Sequence, residues 1–369
     1  MHCSTKIFAK HFQKDGFYTS YLETPMDIGH IIKWKGYFDV WKNAPRWQDG
    51  VWVINPFSLV PLRDKFPFRS YGAASASYKL CFPSVRRLLR KGGMKDPDVI
   101  WASKPGSSVL KKMFPNAKLV MQVVDYYPAF RGDYIKAIEK MDYQLADHIF
   151  LIGYALVPYL TEELNIPKEK ITVLGQGVST DLYATLAELP TEYETIKGPR
   201  AVWVGVLDKC DPGLFKEAAR KLGEVGGSMV LIGPEAEWAH ELSRQTDNVH
   251  LIGPKASEDV PAYLQHADIG LMLYDRKRAS VYKGQNPLKL YEYAAAGLSI
   301  LSTPHEEFKQ LNPPVLQISA ENEIGGAIGY ALKNRAKLTG ECLEFAEKHA
   351  WSNVYAIARD KILTDLLQI

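Results

Sequence analysis

Short apolar runs, separated by helix-like segments, recur along this chain of 369 residues and constrain its fold more than any other feature. In the second half these runs are AVWVGVL (201–207), SMVLIGP (228–234), NVHLIGP (248–254), DIGLMLYD (268–275), LSILST (298–303) and VLQIS (315–319). Strands that alternate with helices predict a parallel sheet covered by helices on both faces. The first half repeats the pattern in DVIWAS (98–103), KLVMQVVD (118–125) and HIFLIG (148–153). The sequence therefore predicts an α/β protein with two Rossmann-like domains.

The length fits two domains rather than a single core. Residues 184–200 are polar, contain Pro and Gly, and show no clear periodicity, which is typical of a linker. We therefore expect an N-terminal domain over residues 1–183, a linker over 184–200, and a C-terminal domain that starts at residue 201.

The chain opens with a helix-like segment, residues 4–15, although a Rossmann-like domain normally opens with a strand. In the usual order the first strand is central, so its absence would leave a gap in the sheet. Either another segment fills that gap, or Met1 lies downstream of the natural start. We predict a first sheet without this strand.

Bulk composition excludes several classes of protein. A net charge of +3 is too small to favour nucleic acid as a partner. The four cysteines are far apart, which fits reduced thiols in a cytoplasmic protein better than disulfides or a zinc site. We find no run of about 20 apolar residues and no signal-peptide core at the start. We therefore expect a cytoplasmic protein.

The segment NPLKLYEYAAAGLSILST (286–303) predicts a helix followed by a buried strand. Asn286 is a suitable N-cap and Pro287 suits the first helical position, while Gly297 suits the helix end. Lys289 and Glu292 are three residues apart and share a face. One interpretation is an ion pair on a solvated surface, and the other is a binding site.

The surrounding residues favour an anion at the start of this helix. The segment before it, RKRASVYKGQN (276–286), carries Arg276, Lys277, Arg278 and Lys283. A helix amino terminus attracts anions, whereas Lys289 in the first turn opposes the helix dipole. A phosphate between the two would remove that conflict, and Glu292 could accept hydrogen bonds from a ribose. The alternative is a solvated basic loop.

Glycines follow several strands of the second half, at Gly205, Gly233 and Gly253. Ligands of open α/β sheets bind beyond the carboxyl ends of the strands, and glycine there allows close approach to the backbone. Each glycine could also belong to an ordinary turn.

The run PLKLYEYAAAGLSILST resembles the P-x-K-x-x-E-Y-x-A-x-G signature of nucleotide-sugar glycosyltransferases with the GT-B fold. The segments NVHLIGPKASEDVPAYLQHADIGLMLYD and VGVLDKCDPGLFKEAA are also similar to that family, and to bacterial surface-polysaccharide transferases of the teichuronic acid and xanthan glucuronosyltransferase type. The family fold implies two domains facing a central cleft. It also implies that residues 346–369 form a helix returning to the first domain, so that the second ends at 345.

The resemblance implies a role for each matching residue. Lys289 would contact the donor diphosphate, and Glu292 the ribose or the sugar. The other residues expected near the donor are Tyr274, Gln285 and Asn286 in the same pocket, with Gly205 and Leu207 at the cleft. We favour a UDP-sugar as donor and expect a hexosyltransferase without a protein-bound metal, since no HExxH motif occurs. His2, His11, His148 and His305 are scattered and are interpreted as structural.

A base is needed if the reaction inverts the anomeric centre. Asp125 ends the strand KLVMQVVD, and VVDYYPAF resembles the stretch in which relatives carry a catalytic aspartate. Asp125 could instead cap a turn before Pro128, and Asp208 and Asp211 are weaker candidates. Retaining relatives often carry a second glutamate where this chain has Gly284, which favours inversion.

The acceptor side is less determined. Basic and aromatic residues between 30 and 95, including Trp34, Trp41, Trp47, Arg86, Arg87 and Arg90, suit an anionic membrane surface with a lipid-linked acceptor, or an ordinary core with a solvated rim. The expected acceptor is a saccharide or a lipid-linked sugar, at the inner face of the plasma membrane if that surface binds lipid. Alternatives to transfer are a sugar-nucleotide epimerase of the same fold and a catalytically weak subunit that only binds the nucleotide-sugar.

Overall fold

A computed structural model describes residues 4–33, 36, 41, 44–61, 68–282 and 284–369. His2, Trp34 and Lys283 lie outside the described residues. The chain divides into two units. Unit 1 comprises Met1–Leu174 and Tyr355–Ile369, and unit 2 comprises Gly175–Val354. No helix among the described residues combines the length and apolarity needed to cross a membrane.

The described residues of unit 1 form three separate sheets. Its strands are β1 (Ser20–Leu22), β2 (Arg46–Gln48), β3 (Val51–Ile54), β4 (Phe57–Ser58), β5 (Cys81–Phe82), β6 (Val99–Ala102), β7 (Lys118–Val123), β8 (His148–Leu151) and β9 (Ile171–Val173). One sheet has the order β1–β3–β2, another is the parallel sheet β6–β7–β8–β9, and β4 pairs with β5. Apolar residues of β7 and β8 form the centre of the core, where Leu119, Val120, Ile149 and Phe150 are fully buried.

Helices cover these sheets. They are α1 (Ser4–Lys14), α2 (Ile28–Lys33), α3 (Tyr71–Lys79), α4 (Val85–Lys91), α5 (Val109–Met113), α6 (Pro128–Arg131) and α7 (Tyr134–Leu145), with short 3-10 or π turns at Tyr154–Leu156, Tyr159–Glu163 and Lys168–Lys170. Serine side chains cap two of them: Ser70 accepts from the amide of Ala73, and Ser84 from that of Arg87. The predicted helix at the start of the chain is confirmed as α1, and its Phe8 is buried.

In the part of unit 2 that the structure describes, the strands form one continuous parallel sheet. Its strands are β10 (Arg200–Val204), β11 (Ser228–Ile232), β12 (Val249–Gly253), β13 (Ile269–Met272), β14 (Ser299–Ser302) and β15 (Val315–Gln317). Their order is β12–β11–β10–β13–β14–β15, so that β10 is paired on both sides. All six apolar runs predicted as strands form strands. Each loses residues at its end because the last residues turn out of the sheet.

The helices of unit 2 alternate with its strands in sequence as far as β15, and the remaining helices follow that strand. They are α8 (Pro212–Glu224), α9 (Glu237–Gln245), α10 (Val260–Gln265), α11 (Leu288–Ala295), α12 (Phe308–Leu311), α13 (Ile324–Lys333) and α14 (Arg335–Lys348), with 3-10 turns at Thr180–Tyr183, Thr191–Glu194, Leu207–Lys209, Arg276–Tyr282 and Glu321–Glu323. The last helix, α15 (Trp351–Asp360), continues into a π turn at Lys361–Leu367 and joins unit 1 from Tyr355 onward.

The predicted linker, residues 184–200, lies inside unit 2, because the division falls after Leu174. The segment is polar, but it packs on the unit. Tyr193 is 1% exposed. The side chain of Gln265 accepts a hydrogen bond from the Ala187 amide at 2.9 Å, and Glu192 binds the hydroxyl of Tyr263 at 2.9 Å. The linker prediction rested on the average polarity of the segment, which does not show that single residues in it are buried.

Candidate functional site

Helix α11 begins at Leu288, with Pro287 as its N-cap residue and no side-chain cap. The prediction that Asn286 caps this helix is wrong. The side chain of Asn286 instead accepts a hydrogen bond from the hydroxyl of Tyr291 at 3.0 Å and is almost fully buried. Asn286 therefore fixes the turn that leads into the helix.

The predicted helix end at Gly297 is confirmed. Gly297 has a φ of +71°. Its amide donates to the carbonyl of Ala294 at 2.9 Å, and the amide of Leu298 donates to that of Tyr293 at 3.0 Å. This pair of bonds is the Schellman arrangement that closes many helices. The helix is thus fixed at both ends, and the positions of Lys289 and Glu292 are fixed with it.

Helix α11 packs closely on the sheet through Tyr293. The hydroxyl of Tyr293 accepts a hydrogen bond from the amide of Val204, at the end of β10, at 3.0 Å. A Cβ atom on Gly270 of β13 would lie 2.4 Å from the Tyr293 ring, so only glycine fits beneath it. The first turn of α11 is consequently held beside the carboxyl ends of β10 and β13, where ligands of such sheets bind.

Lys289 projects over two aromatic rings at this edge. Its Nζ lies 4.5 Å from the centre of the Trp203 ring and 5.6 Å from that of Tyr274. Burial lowers the pKa of the Lys289 ammonium, although Cys210 and Glu292 oppose that shift. The described residues give Lys289 no carboxylate within ion-pair distance. The ring faces attract the cation but do not neutralise it.

Gly205 follows β10 and leaves the space that Lys289 uses. Its φ is +132°, and a Cβ atom there would lie 2.8 Å from the Lys289 Nζ. Gly233, at the end of β11, has a φ of +138°, and its Cβ would lie 2.2 Å from the carbonyl oxygen of Gly205. The absent side chain of Gly233 therefore makes room for the neighbouring backbone. The Cβ position of Gly253 is 3.7 Å from Glu235.

Glu292 is partly buried one turn after Lys289. Burial raises the pKa of its carboxyl, while Lys289 acts in the opposite direction. Within the described part of the chain the two side chains form no ion pair, so the surface ion-pair interpretation is wrong. Because Lys289 does not form an ion pair with it, the Glu292 carboxyl remains able to accept hydrogen bonds from a ligand.

The basic segment before α11 is largely engaged by the protein. Arg276 binds Asp211 at 2.8 Å and the carbonyl of Ser319 at 2.9 Å. Arg278 donates to the carbonyl of Asp208 at 2.9 Å, whereas Lys277 is exposed. Asp211 also caps α8 by accepting from the amides of Gly213 and Leu214. These contacts favour a structural role for Arg276 and Asp211.

The remaining residues predicted near a donor differ in accessibility. Tyr274 lies under Lys289, is 5% exposed, and donates its amide to Thr303. Gln285 is partly buried directly before Asn286. Leu207 is fully buried, and its amide and carbonyl bind Pro234 and Trp238. Tyr274 is thus brought together with Lys289, whereas the side chain of Leu207 belongs to the core.

Asp125 lies in unit 1, two residues beyond the end of β7 at Val123, and is partly buried. Helix α6 follows, with Tyr127 as its N-cap residue. Asp125 therefore lies at the carboxyl edge of the parallel sheet, as the sequence predicts.

His305, which the sequence analysis interprets as structural, is a further residue of interest. It follows β14, is 8% exposed, and its ring centre lies 5.2 Å from that of Tyr274. Burial lowers its pKa to about 4, and its Nε2 has no hydrogen-bond partner within the described ranges. A neutral imidazole with an unused nitrogen is costly in a core. No spacing in the sequence signals this arrangement.

Known proteins resemble this chain in sequence and in fold. A sequence family described as glycosyl transferase-like matches residues 213–350, which lie within unit 2. TuaH of Bacillus subtilis (strain 168), named as a teichuronic acid biosynthesis glycosyltransferase, is 24% identical over 290 residues, which cover 73% of this chain and 72% of TuaH.

Solved structures share the fold across both units. A glycosyltransferase from Rickettsia africae ESF-5 has a TM-score of 0.66 at 14% identity, covering 99% of this chain and 94% of that protein. Anabaena Alr3699/HepE, solved with UDP and glucose, has a TM-score of 0.62 at 13% identity, covering 98% and 95%. A Listeria monocytogenes protein named as a UDP-N-acetylglucosamine 2-epimerase scores 0.63 at 11% identity, covering 100% and 96%. These structures confirm the predicted GT-B fold, and the family match together with TuaH supports the assignment as a glycosyltransferase.

Proposed function

We propose that this glycosyltransferase binds a nucleoside diphosphate sugar at the amino end of α11 in unit 2 and transfers the sugar to an acceptor hydroxyl. The observation that carries the proposal is Lys289, whose partly buried ammonium lies over Trp203 and Tyr274 without a carboxylate at ion-pair distance among the described residues. Burial of such a charge costs free energy unless a counter-charge is present. A diphosphate supplies that charge when the donor binds.

Glu292 fits the ribose of the same donor. Lys289 and Glu292 share one face of the helix, so the diphosphate and the ribose diol would contact neighbouring turns. The raised pKa of the Glu292 carboxyl leaves a basic acceptor that gains hydrogen bonds when hydroxyl groups replace water. Tyr274 and Gln285 would complete the pocket, and the proposed donor site uses no protein-bound metal.

The proposed reaction is an inverting displacement. A bond forms between the acceptor oxygen and the anomeric carbon, while the bond from that carbon to the phosphate oxygen breaks and the nucleoside diphosphate leaves. The acceptor proton passes to the carboxylate of Asp125. Gly284, which carries no carboxylate, supports inversion over a retaining mechanism.

The relatives suggest the class of substrate. Alr3699/HepE was solved with UDP and glucose, and TuaH is named for teichuronic acid biosynthesis. We therefore favour a UDP-sugar as donor and a saccharide or lipid-linked acceptor used for a cell-surface polysaccharide.

Titration calorimetry with UDP and UDP-glucose tests the donor site. Lys289→Ala should weaken binding about 10–100-fold, which corresponds to the loss of one or more charge-assisted hydrogen bonds. Lys216→Ala is the matched control, because this exposed lysine of α8 belongs to the same unit. Equal affinity of Lys289→Ala and the wild-type protein would show that the donor binds elsewhere.

An epimerase is the second candidate, supported by the shared fold of the Listeria protein. An epimerase converts a UDP-sugar without any acceptor, whereas a transferase releases UDP only as the sugar moves. Incubation with UDP-N-acetylglucosamine in deuterated water, followed by proton NMR, separates these activities. A third candidate, a subunit that only binds the donor, would show neither conversion nor UDP release with any acceptor.

We also propose a membrane contact through α4. Arg87, Arg90 and Lys91 are exposed on this helix, whereas the guanidinium of Arg86 lies over the Phe114 ring and donates to the carbonyl of Met113. Cosedimentation with anionic liposomes should therefore fall after Arg87 and Arg90 are changed to alanine. Unchanged cosedimentation would count against this contact.

A further inference from the structure

Two exposed aromatic side chains lie on the segments that flank Asp125. Phe130, on α6, is 53% exposed, and Tyr154, on the turn after β8, is 43% exposed. Within the described part of the chain, the ring of Phe130 packs on no other ring and has no cation over its face. A single exposed ring is common on protein surfaces, so the significance of this pair depends on its position.

A short turn holds Phe130 close to Asp125. The amide of Ala129 donates to the carbonyl of Tyr126 at 3.2 Å. The amide of Phe130 donates to the carbonyl of Tyr127 at 3.0 Å. Because each residue of a helical turn advances the chain by only about 1.5 Å, the Cα atoms of Asp125 and Phe130 stay within about 10 Å of each other. Phe130 is therefore displayed on a backbone that is fixed relative to the proposed base.

Buried contacts anchor this turn in unit 1. Tyr127 is buried, and its hydroxyl donates to the carbonyl of Ser103 at 3.3 Å. Tyr126 packs edge-on against the buried ring of Tyr159, with 4.9 Å between the ring centres. These two tyrosines hold the turn in place, whereas the exposed ring of Phe130 contributes to no such contact.

Tyr154 approaches Asp125 from the neighbouring strand. Strands β7 and β8 pair in parallel, with Val123 opposite Leu151. The amide of Ile152 also donates to the Val123 carbonyl at 3.2 Å, so the pairing continues to the ends of both strands. Neighbouring strands are about 4.8 Å apart, and Asp125 and Tyr154 both follow directly beyond this pair. The proposed base therefore lies between the segments that carry the two exposed rings.

An acceptor sugar matches this arrangement. A pyranose has an apolar face of C–H groups, which packs on aromatic rings, and an edge of hydroxyl groups, which donate to a carboxylate. We propose that the rings of Phe130 and Tyr154 bind the apolar face of a pyranose in the acceptor and so hold its reacting hydroxyl at Asp125. The inference rests on the proposed transfer reaction, and it narrows the acceptor to a glycoside instead of a phosphate-bearing alcohol that lacks a sugar ring.

Saturation-transfer NMR at saturating UDP tests this proposal with three probes: methyl β-D-glucopyranoside, methyl β-D-galactopyranoside and methyl N-acetyl-β-D-glucosaminide. At least one probe should bind the wild-type protein, with the strongest transfer to the C–H protons of a single ring face. Phe130→Ala should weaken that binding about tenfold, because one ring face no longer shields the sugar from water. Phe130→Tyr keeps the ring and should bind like the wild-type protein. Tyr154→Ala should also weaken binding.

Phe82→Ala is the matched control, because Phe82 is a 66% exposed phenylalanine on β5 of the same unit. It should bind the pyranoside like the wild-type protein. Calorimetry should give all variants the same UDP affinity, so that loss of the acceptor is separated from loss of the donor. Pyranoside binding without UDP binding would support the stacking surface and contradict the donor site.

Three results would overturn the proposal. They are no binding of any pyranoside to the wild-type protein, equal binding by Phe130→Ala, and an equal loss in Phe82→Ala. A membrane is the competing occupant of the exposed rings. If Phe130→Ala lowers cosedimentation with anionic liposomes and leaves pyranoside binding unchanged, the rings face lipid and the stacking proposal is wrong.

Discussion

The two units share a pattern of alternating strands and helices, but their strands join into a single sheet only in unit 2. In unit 2 the central strand β10 joins β11 to β13, and the sheet is continuous across six strands. In unit 1, β1 and β6 belong to separate sheets with a cavity between them. The proposed donor site therefore lies on an uninterrupted sheet, whereas the strands of the unit that we assign to the acceptor are divided among separate sheets.

The uninterrupted sheet of unit 2 determines where the residues of the proposed donor site lie. Because β10 and β11 are neighbours, the backbone of Gly205 approaches Gly233, and the same glycine leaves room for Lys289. Tyr293 then ties α11 to the end of β10. Lys289 is positioned by the sheet as well as by its own helix.

The largest expected effect tests the division of roles between the units. Asp125→Asn should lower the transfer rate about 100-fold or more, because the acceptor proton loses its base. Donor affinity, measured by calorimetry, should stay unchanged, since the proposed donor site lies in unit 2. Asp133→Asn, at an exposed aspartate of unit 1, is the control. Full transfer activity of the Asp125 variant would end its assignment as the base.

A glycine substitution tests the close approach of the β10 and β11 strand ends in unit 2. Gly233→Ala should lower the free energy of unfolding by about 2–4 kcal/mol, because the new Cβ meets the Gly205 carbonyl and the φ is positive. Gly329→Ala, in the middle of α13 with open space around it, should be neutral or slightly stabilising. Urea unfolding measures both. Similar stability of the two variants would contradict the close approach of β10 and β11.

Nucleotide discrimination tests the role of Glu292. If its carboxyl binds the ribose diol, the wild-type protein should bind UDP about fivefold more tightly than 2′-deoxy-UDP, and Glu292→Ala should remove the difference. Competition binding provides the measurement. A preference that persists in the variant would place the ribose elsewhere.

The smallest expected effect is on the pH dependence of stability, through a buried carboxyl group of unit 1. Burial raises the pKa of Glu139 to about 7, although the hydroxyls of Tyr143 and Tyr159 donate to its carboxyl. The folded protein then holds this proton more tightly than the unfolded chain, so the stabilisation is complete below about pH 4.5 and is lost as pH rises through about 7.

Asp142, whose pKa is about 6, acts in the same direction. Glu139→Gln should therefore reduce the decline in thermal midpoint between pH 5 and pH 8 without abolishing it. An identical decline in the variant and the wild-type protein would show that Glu139 does not titrate in this range.

The sequence predicted the secondary structure of unit 2 well, because buried parallel strands are continuous apolar runs. The strand limits and the role of residues 184–200 required the structure. Tyr193 anchors that polar segment by packing against the ring of Tyr263, and Glu192 binds the hydroxyl of Tyr263 across 71 positions of the chain. Contacts so distant along the chain leave no local pattern.

The candidate site was predictable in its central pair and less so in its surroundings. Lys289 and Glu292 stood out because a lysine in a first turn opposes the helix dipole. Asn286 was misjudged as a cap, since its partner Tyr291 competes for the same side chain. The approach of Gly205 to Gly233 and the buried nitrogen of His305 depend on tertiary packing, which local rules do not contain.

Hydrogen exchange with and without UDP tests the central claim most directly. Added UDP should protect residues 203–207 and 274–292 of unit 2, where β10 ends and α11 begins. The strands of unit 1 should be unaffected. Protection confined to unit 1, or absent from the start of α11 at saturating UDP, would contradict the account.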